Sequence, residues 1–296
     1  MRSSLPRAMK STAIGGATRV ACVIGDPIAH SLSPAIHNAA FRHLAIDAVY
    51  VAYRVRPADL RHAVLGFRAL DLLGINVTVP HKERVLRLLD TISPAAQSTG
   101  AVNTIVNRDG VLHGENTDVL GFTRALAEAG VELRGRRALV LGAGGAARAV
   151  LSALQAGGAA AAVIANRTRP RASQLARAFA NGRKFACSVR SLDQLDDPQI
   201  TVVTDLVINC TSIGLAGEPF LPLAYDRFRA DCVFYDLIPR QRTDFLIRAR
   251  ATRHPVAGGL GMLLHQGAAA FELWTGEPAP IEVMRRALAA AIRQRH

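Results

Sequence analysis

The stretch Arg137-Ala-Leu-Val-Leu-Gly142-Ala143-Gly144-Gly145-Ala146-Ala147-Arg148 constrains this chain more than any other. Residues 138–141 are an apolar run short enough for a buried strand, and an apolar-faced helix is expected over 146–155. Between them the glycines follow the order Gly-x-Gly-x-x-Ala. In that order Gly142 permits the tight turn, Gly144 lets the backbone approach a pyrophosphate, and the small Ala147 lets helix and strand pack closely. Phosphates placed there face a helix N-terminus, where unpaired N–H groups and the dipole favour negative charge. The loop Gly142, Ala143, Gly144, Gly145 and Ala146 is therefore the expected dinucleotide site.

The end of the next strand, expected over 160–165, narrows the cofactor. About 20 residues beyond the first glycine, an NAD enzyme presents an acidic residue to the ribose 2′-hydroxyl. This chain has Asn166-Arg167-Thr168 there, with Arg171 following. A carboxylate would repel a 2′-phosphate, whereas Arg167 and Arg171 can clamp it with charge-assisted hydrogen bonds. NADP(H) is the expected cofactor.

The remaining pattern repeats this alternation on both sides. The 296 residues suggest roughly two domains at about 150 residues each. In the first half, strands are expected at 20–25, 49–55 and 74–79, helices from Ser33-Pro34 and over 57–72, and helical structure over 82–89. Ser33 suits an N-cap and Pro34 the first helical position. Strands 102–106 and 111–114 flank a turn whose Asp109-Gly110 supplies positive φ angles. A linking helix over 117–129 precedes the cofactor loop. A helix at 171–179, strands at 206–209 and 233–237, a Gly-rich crossing at 256–261 and helices at 262–274 and 281–293 complete the chain. The expected class is α/β, with an N-terminal α/β domain on a mainly parallel sheet and the same alternation restarting around the dinucleotide loop.

Composition excludes several alternatives. No run of about 18 uncharged apolar residues is present, so no membrane partner is expected. The net charge of +13 comes from scattered single arginines with no aromatic-interleaved basic patch, so no nucleic-acid partner is expected. Such a field suits an anionic small-molecule substrate and a phosphorylated cofactor. Cys22, Cys187, Cys210 and Cys232 are widely spaced, which fits reduced thiols in a cytoplasmic protein and no metal site. Residues 1–19 carry Arg2, Arg7, Lys10 and Arg19 without an apolar core. They read as a flexible extension, with a transit peptide or a start at Met9 as alternatives. Lysine occurs only as Lys10, Lys82 and Lys184, so Lys82, placed between an apolar strand and a helical segment, stands out in an arginine-using chain.

Polar residues gather at the expected strand ends, where open α/β sheets bind ligands. Ser31 and Ser33 follow the first strand, and Asn76, Thr78 and Lys82 follow the third. Asn103, Asn116, Thr117 and Asp118 flank the hairpin. Hydroxyls, amides, one lysine and one aspartate suit a small polyhydroxylated acid.

The segments GDPIAHSLSPAIHN, NVTVPHKE, GAVNT, NTD, GAGGAAR, NRT and GGLGMLLHQ resemble the shikimate dehydrogenase family, in the same order and over about residues 20–275. The resemblance implies NADPH-dependent reduction of 3-dehydroshikimate to shikimate, in aromatic amino acid biosynthesis, by a monomer or homodimer. It implies an α/β substrate domain over 20–118 completed by 259–296, and a Rossmann-type NADP-binding domain over 119–258, with a cleft between them. It further implies that Ser31 and Ser33 bind the substrate carboxylate, that Thr78, Asn103, Asp118 and Gln266 hold the carboxylate and ring hydroxyls, and that Lys82 is the acid–base residue. The cofactor would be held by the 142–146 loop with Asn166, Arg167, Thr168 and Arg171, and Leu237 and Gly259 would line the nicotinamide pocket. The chemistry agrees. Hydride addition to a carbonyl builds negative charge on oxygen, which a nearby ammonium both stabilises and protonates. Desolvation in a cleft favours the neutral amine, and a carboxylate at Asp118 opposes this and orients the group.

The chain also departs from the family pattern. Where the family's strand continues to a substrate-touching Tyr, this chain has Leu237-Ile238-Pro239 after Tyr235-Asp236. The family's Ala-Asp-Gly is Ala257-Gly258-Gly259, and His265 precedes Gln266. These changes leave the cofactor chemistry intact and loosen the substrate assignment. A paralogue acting on quinate or a related cyclohexane carboxylic acid is the alternative. Two serines in the first motif and the arginine clamp lean towards shikimate and NADP. A non-catalytic NADP-binding regulator is the third reading; its mark would be a missing Lys or Asp, and both Lys82 and Asp118 are present.

Overall fold

Residues Ala21–Ile24 are apolar without alternation, which suits a strand covered on both faces of a parallel sheet. In the computed structural model, which describes residues 13–180 and 185–294, they form the middle of β1 (Arg19–Gly25). Residues 1–12 of the expected extension, with Lys10, and Lys184 lie outside the described residues. Strand β1 pairs in parallel with β2 (Ala48–Arg54) on one side and β3 (Gly74–Val77) on the other. Beyond β3 lie β4 (Thr91–Ile92), β5 (Thr104–Arg108) and β6 (Val111–Glu115), in the spatial order β2-β1-β3-β5-β6-β4. The β5–β6 hairpin is antiparallel, and its turn uses positive φ at Asp109 (52°) and Gly110 (83°), as the Asp-Gly pair predicts.

The second sheet contains β7 (Arg137–Leu141), β8 (Ala161–Ala165), β9 (Ala186–Arg190), β10 (Leu206–Asn209), β11 (Val233–Asp236) and β12 (Val256–Gly258). Every pairing is parallel, in the order β12-β11-β10-β7-β8-β9. Chain order runs outwards in opposite directions from β7 and β10, so the glycine turn after β7 opens at the switch point where such sheets bind ligands.

The helices are α1 (Ser33–His43), α2 (Leu60–Ala69), α3 (Pro94–Thr99), α4 (Asp118–Glu128), α5 (Gly145–Ala156), α6 (Arg169–Phe179), α7 (Pro198–Thr201), α8 (Asp244–Ala251), α9 (Gly259–Thr275) and α10 (Ile281–Arg293). Helices α9 and α10 return to the first sheet, where Phe271, Met284 and Leu288 join Ile36 and Phe41 in one buried cluster. Helix α4 links the sheets: Phe122 and Leu126 pack with Val150 and Tyr235, while Gly121 admits the α9 backbone, Met262 O lying 2.9 Å from where a Cβ would stand. Among the described residues no helix is long and apolar enough to cross a membrane. The four cysteines are free, and burial pushes the Cys22 thiol up to about 12.

Three local expectations change. Ser33 is the first residue of α1 rather than its cap; Leu32 takes the cap position with helical torsions (φ −96°, ψ −7°), and the Ser33 amide donates to Ser31 Oγ at 3.3 Å. Residues 82–89 form only a 3₁₀ turn over Val85–Leu88. The Lys82 carbonyl accepts from Val102 N at 2.8 Å, so a tertiary bond takes the acceptor an α-helix there would have used. Helix α2 is shorter than the expected 57–72, and α3, α8, β4 and β9 arise where no element is expected.

One core residue makes stability depend on pH. His37 stacks on Tyr50, with centroids 4.3 Å apart and planes at 11°, and neither ring nitrogen has a partner among the described residues. Burial pushes it from 6.5 down to about 3. Between these values the unfolded chain binds a proton that the folded core refuses, so stability falls as pH falls from 6.5 towards 3. For this group the loss is about 2 kcal/mol at pH 5. In His37→Leu, the stability lost between pH 7 and pH 5, read from urea unfolding, shrinks by about that amount. An unchanged loss would show that His37 is not the titrating group.

Candidate active site

Lys82 is fixed by its neighbours before its own side chain makes a contact. The preceding His81 is fully buried, with Nε2 2.7 Å from the Val55 carbonyl, and the Lys82 carbonyl is pinned by Val102. The ammonium then donates to Asp118 Oδ2 at 2.5 Å, with the side chains 14% and 5% exposed. Asp118 is the first residue of α4, where a carboxylate meets the positive end of the helix dipole. Its amide donates to Asn116 Oδ1 at 3.1 Å, and Asn116 Nδ2 donates to the Ala101 carbonyl at 2.8 Å.

Asn103 completes the arrangement. Its Nδ2 donates to Asp118 Oδ1 (2.9 Å) and Thr117 Oγ1 (2.9 Å), and lies 3.3 Å from Gln266 Oε1. Its Oδ1 accepts from the Thr117 amide at 2.7 Å. Lys82, Asn103, Asp118 and Gln266 thus meet in one network although they come from four separate segments. Both Asp118 oxygens are engaged, one by the ammonium and one by the amide, so the carboxylate has a single orientation.

Ser33 and Thr78 approach from the ends of β1 and β3. Ser33 lies beside the buried Tyr50 hydroxyl, which donates to Asn76 Oδ1 at 2.7 Å. Asn76 Nδ2 in turn donates to the Asn103 carbonyl (3.2 Å) and to Thr104 Oγ1 (3.1 Å), so a buried polar chain ties Tyr50, beside Ser33, to the Asn103 segment. Thr78 is half-buried, and its Cγ2 occupies the space beside Gly25, 2.5 Å from where a Cβ would lie. Ser31 is half-buried beside the start of α1. Tyr50 is a part of this network that the sequence did not single out, because an aromatic in a strand reads as core.

At the second sheet, Gly142 has φ +113°, and a Cβ there would lie 3.0 Å from the Cys210 carbonyl group. Gly144 precedes α5, and nothing lies within 4 Å of where its Cβ would point. Arg167, Thr168 and Arg171 are exposed just past β8, and Asn166 Nδ2 closes their turn on the Thr168 carbonyl at 3.0 Å. An open cradle at a helix N-terminus with two guanidinium groups one strand away fits a dinucleotide carrying a 2′-phosphate.

Leu237 and Gly259 meet at the same edge, the Leu237 carbonyl lying where a Gly259 Cβ would project. The loop after β11 is shaped by Asp236, whose carboxylate accepts from Thr243 Oγ1 (2.6 Å), Asn209 Nδ2 (2.9 Å) and the Ile238 amide (3.0 Å). Burial pushes its pKa above the usual carboxylate value. Tyr235 packs edge-on against Phe122 in the core, at 5.1 Å, so its ring does not replace the aromatic that Pro239 displaces. Two further residues join the sheets: Arg148 donates from Nη1 to the Thr99 carbonyl at 3.3 Å, and its Nε lies 3.6 Å from Glu83 Oε2. Arg171 lies 4.0 Å from the other Glu83 oxygen.

Family profiles match three parts of the chain. Residues 23–105 match a shikimate dehydrogenase substrate binding domain, 125–215 a shikimate/quinate 5-dehydrogenase profile, and 259–289 a shikimate 5′-dehydrogenase C-terminal domain. A shikimate dehydrogenase (NADP(+)) of Moorella thermoacetica is 47% identical, over 94% of this chain and 95% of its own length. The crystal structure of shikimate dehydrogenase from Aquifex aeolicus superposes with a TM-score of 0.85 at 38% identity, covering 93% of this chain and 99% of that one. Shikimate 5-dehydrogenase from Thermus thermophilus, in complex with NADP(H) and shikimate, gives 0.81 at 38% identity, covering 92% and 99%.

Proposed function

The chain belongs to the shikimate dehydrogenase family of NADP-dependent oxidoreductases, and we propose that it carries out that family's reversible reduction of 3-dehydroshikimate to shikimate through Lys82 and Asp118. The observation that carries this assignment of roles is the part-buried Lys82–Asp118 pair, at 2.5 Å and oriented by Asn103, with the Lys82 stem against Gly145 of the glycine turn.

When bound, NADPH supplies the hydride. The Lys82 ammonium lies against the carbonyl oxygen, stabilises the charge that develops there and delivers the proton that makes the hydroxyl. In the oxidative direction the neutral amine takes that proton back. Asp118 holds Nζ through Oδ2 while Asn103 holds Oδ1, so the lysine acts from one position. Ser31 and Ser33 take the substrate carboxylate, while Thr78, Asn103 and Gln266 hold its polar edge. Gly142–Ala146, Asn166, Arg167, Thr168 and Arg171 take the phosphates, and Leu237 and Gly259 wall the nicotinamide side. In this reading residues 20–118 with 259–296 form the substrate domain and 119–258 the cofactor domain of a cytoplasmic monomer or homodimer.

Absorbance at 340 nm reports the reaction directly. Shikimate with NADP+ gives a larger kcat/KM than quinate with either cofactor. A preference for quinate with NAD+ would overturn the substrate assignment and assign the Pro239 departure to a different ring.

A further inference from the structure

Gly145, the last glycine of the cofactor turn, is the first residue of α5, and nothing in its own backbone calls for glycine. Within the turn the positive φ belongs to Gly142, not to Gly145. Alanine is favoured over glycine in helices by up to ~1 kcal/mol, so local preference argues for a side chain here. The reason for its absence lies in the other sheet. A Cβ on Gly145 would stand 3.1 Å from Lys82 Cβ and 3.3 Å from Lys82 Cδ, inside ordinary carbon contact distance of about 3.5–4.0 Å. One helical turn further on, Arg148, with its side chain only 17% exposed, reaches Thr99 and Glu83, and Glu83 is the residue after Lys82.

The geometry points to Gly145 and Arg148 as positioning residues for Lys82: the first turn of the cofactor helix is the seat of the proton-transfer lysine. Gly145 receives its methylene stem, and Arg148 holds the segment beside it. The helix whose N-terminus faces the dinucleotide therefore also sets where Nζ sits against Asp118. Gly144, by contrast, has open space on its Cβ side, so its lack of a side chain serves no neighbour in the protein. This inference rests on Lys82 being the proton-transfer residue.

The test is Gly145→Ala in the full chain. A methyl group there displaces the Lys82 stem by a few tenths of an ångström. Misplacement on the ångström scale costs up to about 10²-fold, so kcat for shikimate oxidation at saturating NADP+ falls about tenfold. Because kcat is read at saturating NADP+, any weakening of cofactor binding by the added methyl does not enter it; the KM for shikimate changes less, and Tm does not drop, since alanine favours the helix. A readout without turnover comes from lysine rarity: protein labelled with 13Cε-lysine gives signals from Lys10, Lys82 and Lys184 only. With Lys82 assigned through Lys82→Arg, its signal alone moves in the cofactor-free Gly145→Ala protein. Arg148→Ala lowers kcat with unchanged NADP+ affinity, and Arg148→Lys recovers part of the loss. An unmoved Lys82 signal overturns the inference, and so does a kcat loss that saturating NADP+ abolishes, which would leave Gly145 with the pyrophosphate alone. Should Gly145→Ala not fold, unchanged kcat in Arg148→Ala overturns it instead. Failure of the premise is separate: it would appear as near-normal kcat in Lys82→Ala, whatever the Gly145 variant does.

Discussion

Lys82→Ala lowers kcat by about 10²–10⁴-fold, with a smaller change in the KM for shikimate. The asymmetry follows from when the interaction matters. A carbonyl oxygen gains little from an ammonium in the ground state, whereas the oxygen that receives hydride carries developing charge and needs both a counter-charge and a proton. The groups assigned to the substrate carboxylate and ring lie elsewhere, so binding survives the truncation. Removing the ammonium also strands Asp118, whose side chain is 5% exposed and, among the described residues, keeps only Asn103 as its side-chain partner. A buried carboxylate without its cation destabilises the fold, so Tm and NADP+ affinity are measured alongside kcat to separate lost chemistry from lost structure. A folded Lys82→Ala protein with near-normal kcat would remove Lys82 from the mechanism.

Legibility in the sequence depended on how local the cause was. The glycine turn was readable because a strand, a positive-φ residue and a helix start follow one another within a few residues, and Gly142 adopts φ +113° as that order requires. The Asp109-Gly110 hairpin was readable for the same reason. The start of α1 was not: Ser33 has the chemistry of a cap, but it stands one position inside the helix, and its own amide donates to Ser31 Oγ. Residues 82–89 do not form the helix their pattern predicts because Val102, twenty residues from Lys82, takes the carbonyl on which a longer helix depends.

The candidate site divides along the same line. Lys82 stood out as a rare residue type, but its 36-residue separation from Asp118 contains no hint of a 2.5 Å contact. That pairing came from the ordered motifs, and the geometry then supplied its physical cause in the two bonds that orient Asp118. Tyr50 and Arg148 carry no local sequence signal because their roles exist only across elements. An aromatic strand residue reads as core until its hydroxyl is found on Asn76, and an arginine in an arginine-rich chain reads as surface until it is found on Thr99.

Replacing Arg167 and Arg171 together by alanine lowers the preference for NADP+ over NAD+, measured as a ratio of kcat/KM, by about 10²-fold. Hydrogen bonds to charged groups contribute about 1.5–3 kcal/mol where water is excluded. Arg171 is 62% exposed, so solvent screening brings each arginine nearer 1.4 kcal/mol, or about a factor of ten. Glu83 does not cancel this. It stands 4.0 Å from Arg171 and is itself 36% exposed, the geometry of a weak pair that a doubly charged phosphate outcompetes. Because NAD+ lacks the 2′-phosphate, its kcat/KM changes little and the loss falls on the NADP+ side. Screening gives a second signature: raising ionic strength weakens NADP+ binding to the parent protein more than to the double variant. Helix propensity opposes neither substitution, since alanine is the best helix former and Arg171 lies in the first turn of α6. A correctly folded double variant that keeps its NADP+ preference would move the 2′-phosphate contact away from the end of β8, and with it the reason this chain carries arginine where NAD enzymes carry a carboxylate.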